Sequence, residues 1–194
     1  MKVNLSPFAV AKVFDDFPFP FWIAGGWALD LFLEEQTREH EDVDVAILRE
    51  DEKNFRKHLD TWELWPGLGD NKLEESPIFL NEELSPEREV LWCRPSSNEE
   101  WLFELLLNKT LDGNWVFKRD SSITMPIKEI GLISENGIPY LNPEIVLLFK
   151  AKENRDKDKR DFEVFLPELN TKARLWLKES LAKVHPGHEW LTKF

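Results

Sequence analysis

The amino-acid sequence predicts an α+β protein, in which strands and helices are mixed early in the chain and helices dominate from about residue 142. Residues 42–48 alternate between polar and apolar side chains, as a half-buried strand does. Residues 101–107 form a strongly apolar strand pattern, and a proline-opened helical pattern begins at Asn142-Pro143. We therefore expect strands to build the first part of the fold and helices to complete it.

The remaining elements follow from caps, turns and periodicity. Ser6 can cap a helix that starts at Pro7, and Asn136-Gly137 is a strong hairpin signal. The predicted segments are a first helix from residue 7, a strand at 21–24, a helix at 27–35, a helix at 50–62, short strands at 77–81 and 89–94, a hairpin of 129–133 with 138–141, a helix from 142 to 152 that continues through 153–161, and a last helix at 171–184. We expect a core over residues 1–141 and a C-terminal helical region over 142–194 that packs on it.

Composition excludes several classes of function. The 194 residues carry 37 acidic and 25 basic side chains, which gives a formal net charge of −12. A protein that binds nucleic acid generally needs clustered basic residues, so general nucleic-acid binding is not expected. A free nucleotide remains compatible, because a metal ion can screen its charge locally.

Cysteine usage and hydropathy indicate which cellular compartment to expect. Cys93 is the single cysteine, which excludes an internal disulfide and a cysteine-based zinc cluster. No apolar run approaches the roughly 20 residues that span a bilayer. The first residues lack the apolar stretch of a secretory signal, so we expect a cytoplasmic protein without a membrane partner.

Two glycines between a strand and a helix are the first chemical signal. Gly25 and Gly26 would let the backbone approach a ligand closely, with free N–H groups at the helix start, and this arrangement favours a phosphate. The segment is neither a P-loop nor a dinucleotide fingerprint, because the Gly-Lys-Ser/Thr sequence and the third glycine are missing. An ordinary turn is the alternative explanation for the pair taken alone.

Three carboxylates supply the second signal. Asp42 and Asp44 would project from one face of the strand at 42–48, where two neighbouring negative charges are costly unless a cation lies between them. Mg²⁺ prefers carboxylate oxygens and commonly bridges to substrate phosphates. Glu104 shares a face with leucines in the strand at 101–107 and would be the third acid if the two strands are neighbours.

The motifs around these residues resemble a known family. Gly-Gly-Trp-Ala-Leu-Asp at 25–30, followed by Thr-Arg-Glu-His-Glu-Asp-Val-Asp at 37–44, is similar to the aminoglycoside 2″-adenylyltransferase and lincosamide nucleotidyltransferase group of the DNA polymerase β-like nucleotidyltransferase superfamily. The match over residues 22–48 is specific. A weaker match runs through Asn142-Pro-Glu-Ile, Lys150-Ala, Lys157-Asp158 and Asp161-Phe162 to the Trp176-Leu and His185-Pro region.

The resemblance implies a small mixed sheet flanked by helices and an enzyme that transfers a nucleoside monophosphate from a nucleoside triphosphate to a hydroxyl group. By that likeness Gly25 and Gly26 hold the triphosphate, Asp42 and Asp44 bind one or two Mg²⁺ ions, and Glu104 is the third acid, either as a metal ligand or as the general base. The acceptor would be a small molecule such as an aminoglycoside or a lincosamide, so antibiotic resistance is the implied role. One departure stands out, because family members often carry a glycine where this chain has Glu34-Glu35.

Three further side chains are candidates with open alternatives. Arg38 could clamp a phosphate or form a surface ion pair with Glu39 or Glu41. His40 could orient Asp42, touch the acceptor or be structural. Lys150 opens a basic run that either reaches the β- and γ-phosphates or forms a solvated helix face.

Two other functions stay open at this point. One is nucleotidyl transfer to a protein partner, as in toxin–antitoxin relatives of the superfamily. The other is a non-catalytic nucleotide-binding module that keeps the fold without turnover.

Overall fold

A computed structural model describes residues 6–69 and 72–194 as a sheet protein with helices around it. The helices are α1 (Pro7–Val13), α2 (Gly25–Leu33), α3 (Glu52–His58), α4 (Pro143–Lys150), α5 (Asp156–Phe165) and α6 (Thr171–Val184). The strands are β1 (Phe21–Ile23), β2 (Asp44–Leu48), β3 (Glu63–Gly69), β4 (Lys72–Leu73), β5 (Val90–Arg94), β6 (Phe103–Asn108), β7 (Thr110–Leu111), β8 (Asn114–Val116), β9 (Thr124–Pro126), β10 (Gly131–Ile133) and β11 (Pro139–Leu141).

Within these two ranges the strands form a mixed eight-stranded sheet and a small three-stranded one. The order in the large sheet is β10-β11-β1-β2-β6-β5-β3-β4, and the small sheet has the order β7-β8-β9. The pairs β1–β11 and β2–β6 are parallel, and the other neighbours are antiparallel. The predicted α+β class with a mixed sheet and flanking helices is therefore confirmed.

One face of the large sheet is fully buried, because alternate residues of its central strands are apolar. The buried set comprises Val45, Ile47, Leu91, Cys93, Phe103, Leu105 and Leu107. Phe14, which follows α1 directly, and Phe55 of α3 contribute aromatic rings to this core: the Phe14 ring centroid lies 5.5 Å from that of Phe55 and 5.6 Å from that of Phe103. The opposite face stays half-exposed along β5 and β6 and is free to carry polar side chains.

Local signals explain several element boundaries. The side chain of Ser6 accepts a hydrogen bond from the N–H of Ala9 at 3.2 Å, and Pro7 follows as the first helical residue, as predicted. The hairpin that joins β10 to β11 turns through Gly137, whose φ of +80° lies in the left-handed region that glycine tolerates. The last helix begins and ends where the sequence predicts, at Thr171 and Val184.

Other boundaries differ from the prediction. Helix α2 starts at Gly25 rather than at residue 27, and β2 starts at Asp44, so Asp42 lies outside the strand. Residues 77–81 form no strand, whereas 63–69 do. The predicted continuous helix through 153–161 is interrupted by Asn154, which adopts φ of 48°, so α4 and α5 are separate.

The C-terminal helices pack on the sheet region through α4, which contacts α2, α5 and α6. Six of the eight residues of α4 are buried, in keeping with an apolar helix at the centre of this layer. No helix in the described ranges combines the length and the apolar character that crossing a membrane requires.

Candidate active site

The bend between β1 and α2 fits tightly against Asp44. Gly25 opens α2 with φ of +60°, and the N–H of Ala24 donates to the backbone oxygen of Asp44 at 2.8 Å. A Cβ added at Gly25 would overlap Oδ2 of Asp44 and lie 3.2 Å from its Cγ. Glycine is therefore required here twice, by its backbone conformation and by the carboxylate that lies against it.

The second glycine makes room for different side chains. A Cβ on Gly26 would overlap the ring of His40 and lie 2.6 Å from Nη2 of Arg38. The first-turn N–H groups of α2 have no acceptor within the helix, as at every helix N-terminus, and they leave the site with donors for an anion. The pair of glycines thus brings the helix start, an aspartate and two basic side chains together.

His40 belongs to a buried polar cluster beneath this bend. Its Nε2 donates to Oδ2 of Asp30, and each of these side chains is 4% exposed. Thr37 completes the cluster, because its N–H and Oγ1 donate to Oδ1 of Asp30 at 3.1 and 2.6 Å. The imidazole also packs on Trp27, with 4.5 Å between the ring centroids. The structure therefore places the acceptor-side candidate His40 against Asp30, where it shapes the bend from behind.

Asp44 and Glu104 are neighbours in the sheet. They occupy matching positions of the parallel strands β2 and β6, and side chains at matching positions project from the same face. Burial, followed by the negative charge of Asp42, raises the pKa of Asp44 to about 7, against the opposing charges of Lys150, Lys157 and Arg155. Burial, followed by the charges of the two aspartates, raises the pKa of Glu104 to about 8. The carboxylates thus form an electrostatically coupled group that disfavours its own ionisation.

Asp42 stands apart from this pair in the fold. It is exposed on the segment before β2, although its charge acts on both other acids. In the described part of the chain no three His, Cys, Asp or Glu side chains form a ready-made metal cluster. Uncompensated carboxylates repel one another, so a cation is the partner that would draw this set together.

A pocket of about 230 Å³ begins at Gly25 and Asp44 and extends along the open face of the sheet. It passes Leu106 and Asn108 of β6 and is bounded by α4 and the segment that follows it. Its basic lining side chains are Lys118, Arg119, Lys150 and Arg155. The acidic lining side chains are Asp44 at the Gly25 end and, among the basic residues, Glu89 and Glu153. Four cations along the wall suit the phosphates of a nucleotide, and Asp44 at one end suits a metal ion bound to them.

The basic side chains near the pocket are held by two aspartates of α5. Arg38 donates from Nε and Nη2 to the two oxygens of Asp161 at 3.0 and 3.1 Å, and Lys150 Nζ lies 2.9 Å from Asp161 Oδ2. Asp158 receives Lys150 at 3.4 Å and Arg155 at 2.8 Å. Burial would raise the pKa of Asp161, but the Arg38 hydrogen bonds and the Lys150 charge outweigh it and lower the pKa. Both aspartates are therefore held ionised among cations.

This network gives both Arg38 and Lys150 ion-pair partners on α5. The carboxylate partner of Arg38 is Asp161 rather than Glu39 or Glu41, although Nη1 also donates to the backbone oxygen of Glu39 at 3.0 Å. Lys150 is 10% exposed and lines the pocket while bound to α5. The sequence signal for Asp161 was its place in the weaker family match; the sequence gives no direct sign of a partner 123 residues from Arg38.

Comparison with known proteins adds a family and a fold. The family model for aminoglycoside-2″-adenylyltransferase matches residues 8–64, a range that contains the glycine bend and both aspartates. The crystal structure of ANT(2″)-Ia in complex with adenylyl-2″-tobramycin is similar with a TM-score of 0.61 and 15% identity, over 91% of this chain and 97% of that chain. A solution structure of ANT(2″)-Ia gives 0.59 and 14%, over 91% and 89%.

A lincosamide adenylyltransferase is also among the similar structures. The lincomycin-bound crystal structure of the lincosamide antibiotic adenylyltransferase LnuA is similar with a TM-score of 0.54 and 15% identity, over 80% of this chain and 91% of that chain. Sequence comparison with curated proteins finds no significant match.

The overall fold is similar to that of the solved adenylyltransferases ANT(2″)-Ia and LnuA. Over residues 8–64 the particular match is to the aminoglycoside-2″-adenylyltransferase family, so the resemblance predicted from residues 22–48 is confirmed.

Proposed function

We propose that this protein is a metal-dependent nucleotidyltransferase that moves a nucleoside monophosphate from a nucleoside triphosphate to a hydroxyl of a small molecule. The observation that carries the proposal is the pairing of Asp44 with Glu104 on one sheet face, beside a pocket that Gly25 and Asp44 line. Acids that are costly side by side in the free protein are suited to a cationic ligand.

The nucleotide is proposed to bind in the pocket with its phosphates toward α2. Free N–H groups of the first turn and the positive end of the helix dipole favour phosphate oxygens there. Lys150, held by α5, and Arg155 add positive charge on the opposite wall. Glycine is needed at both positions here, because a side chain at Gly25 would collide with Asp44 and one at Gly26 with His40 and Arg38.

Asp42 and Asp44 form the donor pair proposed for Mg²⁺, since hard oxygen ligands fit this ion. When bound, the ion would neutralise phosphate oxygens and align the attacking and leaving groups. Asp44 is fixed by the strand and by Gly25, whereas Asp42 lies on an exposed segment and can adjust to the ligand.

We assign proton acceptance to Glu104. Its pKa of about 8 lies close to neutral pH, which matches a general base, and its position on β6 faces the open side of the sheet. The acceptor hydroxyl oxygen would form a bond to the α-phosphorus, the bond from that phosphorus to the bridging oxygen would break, and pyrophosphate would leave. The hydroxyl proton passes to the Glu104 carboxylate.

Candidate acceptors come from the similar structures. ANT(2″)-Ia was solved with adenylyl-2″-tobramycin and LnuA with lincomycin, so an aminoglycoside and a lincosamide are the two classes to compare. The net charge of −12 would attract a cationic acceptor at long range.

The test is pyrophosphate release from labelled ATP or GTP with Mg²⁺ and a panel of aminoglycosides and lincosamides. The expected result is label on a small molecule, lost in Asp44→Asn. Label on a protein instead would favour the toxin–antitoxin alternative. Nucleotide binding that needs Mg²⁺ but gives no turnover with any acceptor would favour the non-catalytic module.

A further inference from the structure

The row of acids on the open sheet face continues into tryptophans. Trp92 of β5 pairs directly with Glu104 of β6, and Trp65 of β3 pairs directly with Trp92. Directly paired residues of neighbouring strands share a face. Asp44, Glu104, Trp92 and Trp65 therefore form one line across four strands, from the proposed metal site outward.

A third tryptophan closes the cluster. Trp101 precedes β6 and packs edge-on against both others, with ring centroids 5.6 Å from Trp92 and 6.3 Å from Trp65. All three side chains are half-buried, so each keeps part of its ring surface open. We call Trp65, Trp92 and Trp101 the tryptophan platform. Large aromatic surface left open beside a reactive centre is typical of ligand sites rather than of a closed core.

The charge at the tryptophan platform is already balanced. The guanidinium of Arg94 lies over Trp101, 4.4 Å from the ring centroid, and over Trp65 at 5.8 Å. Glu63 neutralises it, with 2.6 Å between Arg94 Nη2 and Glu63 Oε2. The protein's own cation thus occupies the cation–π position over Trp101 and Trp65, so these two rings gain little from a cationic ligand. The open ring surface is left for an uncharged, apolar group.

The platform and the nucleotide pocket lie on different sides of Glu104. The pocket runs along the C-terminal half of β6, past Leu106 and Asn108, where its basic residues stand. The platform lies across β5 and β3 from Glu104 and beside the start of β6. A ligand on the tryptophans would reach the acid pair across the strands, and a nucleotide in the pocket would reach it along β6, so the two would meet at the acids as a transfer reaction requires.

We propose that the tryptophan platform is the acceptor subsite and that it selects a hydroxylated ring compound with an uncharged, apolar face, which rests on Trp92 with its hydroxyl at Glu104. This inference rests on the proposed nucleotidyl transfer and specifies its acceptor. A polycation gains little from the platform, so a glycoside with few charges is preferred over a polyamine one.

The test compares lincomycin, as the lightly charged glycoside, with tobramycin, as the polycationic one. Binding is measured by calorimetry with Mg²⁺ and a non-transferable ATP analogue, and turnover by pyrophosphate release. We expect Trp92→Ala to raise the dissociation constant and KM for lincomycin by roughly tenfold or more, with the KM for ATP unchanged. Trp92→Phe should restore most of the affinity, because it keeps an aromatic face.

Two further variants guard against misfolding. Trp101→Ala lies outside the strands and should reproduce the loss if Trp92→Ala does not fold. Trp176→Ala removes a half-buried tryptophan of α6 and should leave lincomycin binding unchanged.

The inference is overturned if the folded platform variants bind lincomycin as the wild type does, if the wild type prefers tobramycin, or if it binds neither compound. Binding of lincomycin that depends on Trp92, but without pyrophosphate release, would instead refute the proposed transfer and leave the platform as a ligand subsite.

Discussion

Replacing Gly25 by alanine should disable the site while its stability cost stays modest. The residue has φ of +60°, and the added methyl group would overlap the Asp44 carboxylate. Gly113, in the turn between β7 and β8, offers a matched control, because it has φ of +75° and no atom within 4 Å of an added Cβ. Both substitutions impose the same kind of backbone strain, and only Gly25→Ala displaces a proposed metal ligand.

The two effects have different magnitudes. A left-handed backbone costs a residue with a Cβ about 1–2 kcal/mol, so both variants should lose roughly this much free energy of unfolding. Gly25→Ala must also move the Asp44 side chain, whose Cγ would lie only 3.2 Å from the new carbon. Displacement of a reacting group by about 1 Å can cost a factor of about 100 in rate, which is the loss expected for this variant alone.

Urea unfolding measures the loss of unfolding free energy. The loss of site function is measured by pyrophosphate release and by the increase in melting temperature on adding Mg²⁺. Gly113→Ala should keep wild-type turnover and the full Mg²⁺ effect. Wild-type activity in Gly25→Ala, or an equal loss of activity in both variants, would refute the assignment of Gly25 and Asp44 to one site.

Three other expectations concern charge and stability. Because the pKa values of Asp44 and Glu104 are raised to about 7 and about 8, the metal-free protein should lose stability as pH rises from about 5 to about 8, and Mg²⁺ should raise its melting temperature more at about pH 8 than at about pH 6. Arg56→Ala should cost about 3–5 kcal/mol in urea unfolding, since Arg56 is 2% exposed and its removal leaves Glu52 buried without its partner. Asp161→Asn should raise the KM for ATP in steady-state assays more than the KM for the acceptor, because this carboxylate holds two cations beside the pocket.

Each of these expectations has a contrary result. A Mg²⁺ effect that is larger at low pH would contradict the proposed coupling of metal and carboxylates. Lys53→Ala is the control for Arg56, since its pair with Glu83 is exposed and should be worth at most about 1 kcal/mol; equal losses would contradict the burial argument. An unchanged KM for ATP in Asp161→Asn would separate α5 from nucleotide binding.

The sequence predicted the acid pair because local patterns determine it. Alternation over residues 42–48 assigned Asp44 to the face opposite Val45, and a single acid among leucines marked Glu104. Their adjacency is confirmed by the parallel pairing of β2 with β6. The sequence also predicted the glycine bend. It did not show why residue 26 is a glycine, which is that the ring of His40 leaves no room for a side chain there.

What the sequence did not predict depends on distant contacts or on unfavourable residues. Strand β3 contains Pro66, Gly67 and Gly69, which count against a strand, yet it pairs with β5 from Glu63 onward. The sequence also did not predict the left-handed residue that ends α2. Glu34 has φ of 55°, a conformation in which glycine is favoured. A glycine at this position would adopt the same conformation without steric strain.

The ion pair of Arg38 with Asp161, which also binds Lys150, connects the first quarter of the chain to the last. The acids Asp42, Asp44 and Glu104 all precede α4, whereas the cations Lys150, Arg155 and Lys157 that oppose Asp44 lie in α4 or after it. A fragment that stopped before α4 would retain the site carboxylates and lose the lysine and arginine side chains that offset their negative charge. The site should therefore be able to bind its ligands only late in folding, after α4 and α5 have packed against the N-terminal part of the chain.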